Sequence, residues 1–216
     1  MDSGRAPVAI ALAALLAACV AAFVVGTPAR SLRGEAAARA LLDTWRQSRS
    51  ATFVVESDFS RTLPDGKQLK DSTRVVQRPP NDRLAFGFGS IAGRLGGRIY
   101  RCAGAPDVSS TCLTSTTAPD YASEVESEVA ALATNVQGPR PAYRVVDFVD
   151  SPGFCYRLDL AVALPAPPYG RQALFCFDRA TLAPTLTVVE RAEATDRTEA
   201  RTVRGQVTDA DLQVPG

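Results

Sequence analysis

Four cysteines, Cys102, Cys112, Cys155 and Cys176, constrain this chain most, because each successive pair brackets a stretch of turn-forming residues. The residues between Cys155 and Cys176 centre on Pro165-Ala-Pro-Pro-Tyr-Gly170, and those between Cys102 and Cys112 on Ala103-Gly-Ala-Pro-Asp107. A turn in the middle of each interval sets the cysteines opposite one another on hairpins. Two local disulfides follow, Cys102 with Cys112 and Cys155 with Cys176, each contributing about 2 to 4 kcal/mol by restricting the unfolded chain. With no C-x-x-C pair and no histidine, zinc on four widely spaced thiolates is disfavoured, while buried reduced cysteines stay open as the alternative. Such disulfides persist outside the cytosol.

The N-terminus agrees with that compartment. From Pro7 to Gly26 the chain is unbroken apolar sequence, which as a helix would rise roughly 30 Å, about one hydrocarbon core. A cleaved signal peptide has a shorter apolar region, so the length favours an uncleaved anchor, although Leu16-Ala17-Ala18-Cys19 matches the pattern at which bacterial lipoproteins are cut and lipidated on cysteine. Arg5 stands alone before the run while Arg30, Arg33 and Arg39 follow it, against the positive-inside tendency, so the cysteines rather than the charges set the orientation. The expected organisation is residues 1–33 as membrane anchor or signal segment with a short linker, and residues 34–216 as one extracytoplasmic domain. The expected location is the cytoplasmic membrane, single-pass, with lipidation at Cys19 as the alternative.

Within that domain, Gly34 to Ser50 is rich in helix formers, and Ala38, Leu41, Leu42 and Trp45 recur at helical spacing. The period then changes to two. Phe53, Val55, Ser57 and Phe59 alternate with polar neighbours, Leu63-Pro-Asp-Gly66 turns the chain, and Leu84, Phe86 and Phe88 share a face beyond Pro79-Pro80. A second helix is expected after Pro119, with Ser123 and Glu126 as a capping box and Val125, Val129, Leu132 and Val136 as its stripe. Strands resume over 143–149, 154–164, 172–178, 185–191 and 198–207. Short connections imply antiparallel neighbours, so the expected fold is α+β: a curved antiparallel sheet, or half-barrel, with two helices packed on its concave face, preceded by the N-terminal membrane helix.

Pairing Cys155 with Cys176 also sets a register, with Phe154 opposite Phe177, Tyr156 opposite Phe175 and Leu158 opposite Ala173. One face of that hairpin is then aromatic. With Phe53, Val55, Phe59, Leu84, Phe86 and Phe88 from the first half, it is the candidate lining of the concave side. The plainer reading is that these side chains simply pack beneath the helices.

Catalytic chemistry finds little purchase. Without histidine, the commonest general base is absent. The close acidic sets, Asp147 with Asp150, Asp209 with Asp211, and Glu124, Glu126 and Glu128, read as solvated strand or loop residues. Glycines at 87, 89, 93, 96 and 97 have no Gly-Lys-Ser or Gly-Lys-Thr beside them and read as bends in a sheet. A formal charge of +1, from 24 basic and 23 acidic residues, gives no electrostatic footprint for nucleic acid. A non-enzyme without cofactor or metal is expected.

The order helix, strands, helix, strands resembles the Lol-type lipoprotein carriers, a superfamily of LolA/LolB-like half-barrels that includes glycolipid-carrying lipoproteins and RseB-like regulators. The likeness rests on Cys176-Phe-Asp-Arg-Ala-Thr-Leu-Ala-Pro184 leading to Asp209-Ala-Asp-Leu212, on the Trp45-x-x-Ser48 to Phe53 lead-in, and on Arg78-Pro-Pro-Asn-Asp-Arg-Leu84. It implies a concave apolar side that holds acyl chains. The expected function is therefore a membrane-tethered module that binds a lipid or lipid-modified partner in an apolar cavity. The alternative is a non-catalytic sensor or scaffold that contacts another envelope protein.

Overall fold

In the computed structural model, residues 32–103, 111–115, 118–150 and 153–214 are described, and they form one unit beginning at Leu32. The expected membrane run at residues 7–26, and Cys19 within it, lie outside the described residues. Among the described residues, no helix is long and apolar enough to cross a membrane.

Helix α1 spans Glu35–Ser50. Ala37, Ala38, Leu41 and Leu42 are buried on one face of it, the spacing an amphipathic helix requires. Helix α2, Tyr121–Val136, starts two residues before the expected capping box. Asp120 is the N-cap instead, its carboxylate accepting from the Ser123 backbone N–H at 2.9 Å and from the Ser123 hydroxyl at 3.1 Å. Those bonds hold the Asp120 pKa below the usual carboxylate range.

Six strands precede α2: β1 Phe53–Thr62, β2 Gln68–Arg78, β3 Asp82–Gly87, β4 Ser90–Leu95, β5 Arg98–Ala103 and β6 Thr111–Ser115. Five follow it: β7 Tyr143–Asp150, β8 Gly153–Leu160, β9 Gln172–Asp178, β10 Pro184–Glu190 and β11 Thr195–Arg204. All pair antiparallel in the order β6-β5-β4-β3-β2-β1-β11-β10-β9-β8-β7, so the sheet is open and β6 and β7 are its edges. The β1–β11 pairing joins the two halves. Strand β4 occupies the passage that reads as glycine bends, and β8 ends at Leu160, well before Leu164.

Both helices pack on one face. Their stripes meet Tyr143, Val145, Tyr156, Leu158, Ala173, Phe175 and Phe177 of β7, β8 and β9 in the main core. Burying each such side chain contributes about 1.5 to 3 kcal/mol. Both expected disulfides are present, and the β8–β9 register is the expected one, Phe154 facing Phe177 and Tyr156 facing Phe175. The β8–β9 connection is pinned by Tyr143, whose hydroxyl donates to Gly170 O at 2.9 Å and accepts from the Tyr169 N–H at 3.0 Å.

The opposite face of the first half carries a second, smaller core. Val54, Val76 and Leu84 are buried there beneath Leu212, with Phe86, Ile91, Val207 and Val214 around them. Residues 205–214, including the short 3-10 turn Asp209–Leu212, therefore cover this face. Asp211 fastens the cover. It accepts from Arg74, Arg204 and both the N–H and hydroxyl of Thr208, and these partners, Arg204 first, hold its carboxyl well below the usual range.

Candidate functional site

Where α1 ends above the middle of the sheet, a cavity of about 230 Å³ opens between helix and strands. Its walls are mostly apolar: Trp45 from α1, Phe53 and Val75 from β1 and β2, Phe175 and Phe177 from β9, and Pro184 from β10. Trp45 meets Phe175 edge-on at 5.5 Å and Phe177 at 6.4 Å. One end is polar, formed by Ser48, Arg49, Gln77 and Arg83.

That polar end follows from register. Phe53 faces Gln77 across β1–β2, and Gln77 faces Arg83 across β2–β3, so the row that begins with an inward phenylalanine continues inward as glutamine and arginine. Gln77 is 1% exposed and works in both directions. Its Nε2 donates to the carbonyls of Ser48 at 2.7 Å, Ala51 at 2.8 Å and Arg49 at 3.2 Å, at the end of α1 where the helix supplies few donors of its own. Its Oε1 accepts from Arg49 Nη1 at 3.2 Å and Arg83 Nε at 3.1 Å.

Around it lies a network of charges. Arg49, 5% exposed, donates to Glu128 at 3.0 Å and Glu124 at 3.4 Å, while Arg94 donates to Glu124 at 2.8 Å and to Pro119 O at 2.5 Å. Both guanidiniums lie over the Tyr121 ring, 5.6 Å and 5.3 Å from its centre. The Tyr121 hydroxyl donates to Arg49 O at 2.6 Å, and burial raises its pKa. Arg83 differs from its neighbours. Gln77 is the acceptor its guanidinium has, and burial, reinforced by the Arg49 charge, lowers its pKa.

The eleven residues expected to line one cavity are dispersed. Phe53, Phe175 and Phe177 line it, and Val55 packs beside Phe53 against Ala183. Phe154, Tyr156 and Leu158 belong to the main core under the helices, Phe154 stacking on Phe177 at 6.1 Å and Tyr156 sharing a 2.8 Å hydrogen bond with the Thr44 hydroxyl. Leu84 and Phe86 lie on the opposite face, in the core covered by residues 205–214, with Arg74 over the Phe86 ring at 5.5 Å. The apolar alternation of β3 points away from the helices because that face is also covered. Phe59 and Phe88 meet edge-on at 4.8 Å at the far end of the sheet, where Phe88 is 63% exposed in a two-residue turn.

Sequence reasoning did not select Trp45, Val75, Gln77, Arg83 or Pro184 for the cavity. Trp45 was legible on the helical stripe. Gln77 and Arg83 could have been found by counting register from Phe53 rather than by following hydrophobicity. A larger cleft, about 700 Å³, lies beside Asp58, Lys70, Asp71, Arg197 and Glu199, and it is a polar surface hollow.

No family model matches the chain, and no curated protein matches it. Solved structures similar to it include a LolA superfamily protein from Nitrosomonas europaea, at 10% identity and a TM-score of 0.35, covering 82% of this chain and 97% of that one. LprF from Mycobacterium bovis is similar at 12% identity and a TM-score of 0.31, over 85% of this chain and 98% of that one. MucB, crystallised with MucA(peri), is similar at 13% identity and a TM-score of 0.40, over 82% of this chain. The chain spans 59% of the MucB chain's length. Identities and TM-scores this small leave the site to be judged on its own chemistry.

Proposed function

We propose that this protein is an extracytoplasmic module, tethered through residues 7–26, that holds an acyl chain of a lipid or lipid-modified partner in the cavity between α1 and the sheet. The observation that carries the reading is the cavity itself: apolar space of about 230 Å³ walled by Trp45, Phe53, Phe175 and Phe177, beside the main core under the helices. The space opens to solvent on one side, so a ligand can enter it, and its aromatic walls favour an apolar occupant. The two disulfides support the compartment.

The test is photolabelling in cells. A bacterial host expressing the full chain is fed a diazirine fatty acid, irradiated, and the labelled peptides are mapped. Label on peptides containing Trp45, Phe53 or Phe175 is expected. Label absent, or confined to residues 7–26, refutes the reading, since the membrane alone would label the latter.

A second reading, contact with another envelope protein, draws on the far end of the sheet. Leu69 and Phe88 are 59% and 63% exposed there, and Phe88 takes φ of +53°, a backbone state disfavoured for a bulky residue. Crosslinking from position 88 that recovered no specific protein would remove it.

A further inference from the structure

Arg83 gives the cavity a chemical preference. At its polar end Arg49 and Arg83 line the cavity, and in the charge network that continues behind them three guanidiniums, Arg49, Arg83 and Arg94, stand against two carboxylates, Glu124 and Glu128. The carboxylates are taken by Arg49 and Arg94. Among the described residues, Arg83 has no ion pair, and its hydrogen bond is the one from Nε to the neutral Gln77 side chain. The carbonyls at the end of α1, which could have offset its charge, already accept from Gln77. The remaining guanidinium donors, on Nη1 and Nη2, are left for something else, and burial with the neighbouring Arg49 charge depresses the Arg83 pKa, as expected for a cation short of a counter-charge.

Opposite this cation the walls are aromatic and aliphatic. A compartment with one unneutralised guanidinium and apolar walls is complementary to a molecule with one anionic end and one hydrocarbon end. Its size limits the hydrocarbon. About 230 Å³ is the space of roughly seven or eight waters at ~30 Å³ each, below the ~300–1,000 Å³ of ordinary ligand pockets, and too little for two chains.

We propose that the cavity binds a single-chain anionic amphiphile, its carboxylate or phosphate monoester on the Arg83 Nη groups and its chain between Trp45, Phe53 and Phe175. This rests on the acyl-chain reading above and narrows it to ligand class.

Trp45 is the chain's single tryptophan and forms a wall of the cavity, so its fluorescence reports occupancy directly. The full-length protein in nanodiscs is titrated with decanoate, decyl phosphate and decanol, each referred to partition into protein-free discs. Both anions bind about tenfold to a hundredfold more tightly than the alcohol, as a charge-assisted hydrogen bond inside a protein implies. Whichever anion binds tighter assigns the head group as fatty-acid carboxylate or phosphate ester. Arg83→Gln brings the anions to the affinity of decanol without weakening decanol, and Arg83→Lys recovers part of the preference. Equal affinity for alcohol and anions in the wild type overturns the anionic head while leaving the acyl-chain reading intact, and this comparison needs no variant to fold. An unchanged preference in Arg83→Gln overturns the assignment to Arg83. Failure of all three probes to bind overturns both readings.

Discussion

Gln77→Met tests whether the polar end of the cavity holds the end of α1 in place. The amide Nε2 carries two protons and faces three carbonyls, so Ser48 O at 2.7 Å and Ala51 O at 2.8 Å are the two well served, with Arg49 O at 3.2 Å sharing. Methionine matches glutamine in length and fills its volume, so the change creates no cavity and isolates the lost polar contacts. Ala51 O is left without a donor, which costs about 1 to 3 kcal/mol, while Ser48 O keeps the Ala51 N–H at 3.2 Å and Arg49 O keeps the Tyr121 hydroxyl at 2.6 Å. Arg49 and Arg83 lose an acceptor as well. Against a typical total of about 5 to 15 kcal/mol this is a sizeable fraction, and for a domain of this size it corresponds to a fall in Tm of about 2 to 12 °C. Thermal unfolding followed by Trp45 fluorescence and by calorimetry measures it. A fall smaller than about 2 °C would mean that water serves those carbonyls as well as Gln77 does, and would refute the reasoning.

Other perturbations separate the parts of the structure. Asp211 has a depressed pKa, so its contribution to stability is fully present above the ordinary carboxylate range and is lost as pH falls through and below it; Asp211→Asn should lower stability at neutral pH and flatten its fall in acid, measured by urea midpoints across pH, and parallel curves for both proteins would contradict this. Gly170 has φ of +67°, and a Cβ there would stand 2.2 Å from Glu190 O, so Gly170→Ala should destabilise by about 2 kcal/mol or more, read by urea denaturation. Replacing Cys155 and Cys176 together with serine should cost about 3 kcal/mol, and an unchanged denaturation midpoint would show that the bridge adds nothing. Phe86→Ala should lower stability by about 1 to 3 kcal/mol, less than for a fully buried phenylalanine, without changing decanoate affinity, because Phe86 is half-buried on the face opposite the cavity, whereas Phe53→Ala should change that affinity.

The helices and the second half of the sheet were legible because one signal in each had a single reading. Val125, Val129, Leu132 and Val136 repeat at helical spacing and all four are buried. The Cys155–Cys176 pair fixes a register that alternation alone could slide, and every aromatic partner follows from it. The first half lacked such a pin. Leu84, Phe86 and Phe88 announce a buried face, but alternation does not say which of two covered faces it is, and the cover is made by residues 205–214, far away in sequence. The glycine passage misled for a related reason. Gly93 sits within β4 directly across from Leu84, and a Cβ there would fall 2.0 Å from Arg83 O, so it marks a close approach of two strands rather than a bend between them.

The same ambiguity explains why there is a cavity at all. Strand β3 presents Arg83, Ala85 and Gly87 to the helix-bearing face, one long cation and two small residues, and sends its bulk to the other side. Shifted by one residue, it would aim Leu84 and Phe86 beneath the end of α1, where two large apolar side chains would occupy the space that Trp45 and Phe53 now border. Inward polarity along the row Phe53, Gln77, Arg83 therefore does two things at once. Gln77 satisfies the carbonyls at the end of α1, which lets the helix stop over the sheet rather than run past it, and Arg83 keeps the adjoining space open and positively charged. Hydrophobic pattern is silent about both residues because their contribution comes from hydrogen bonds and charge, and those depend on partners that only the folded register brings together.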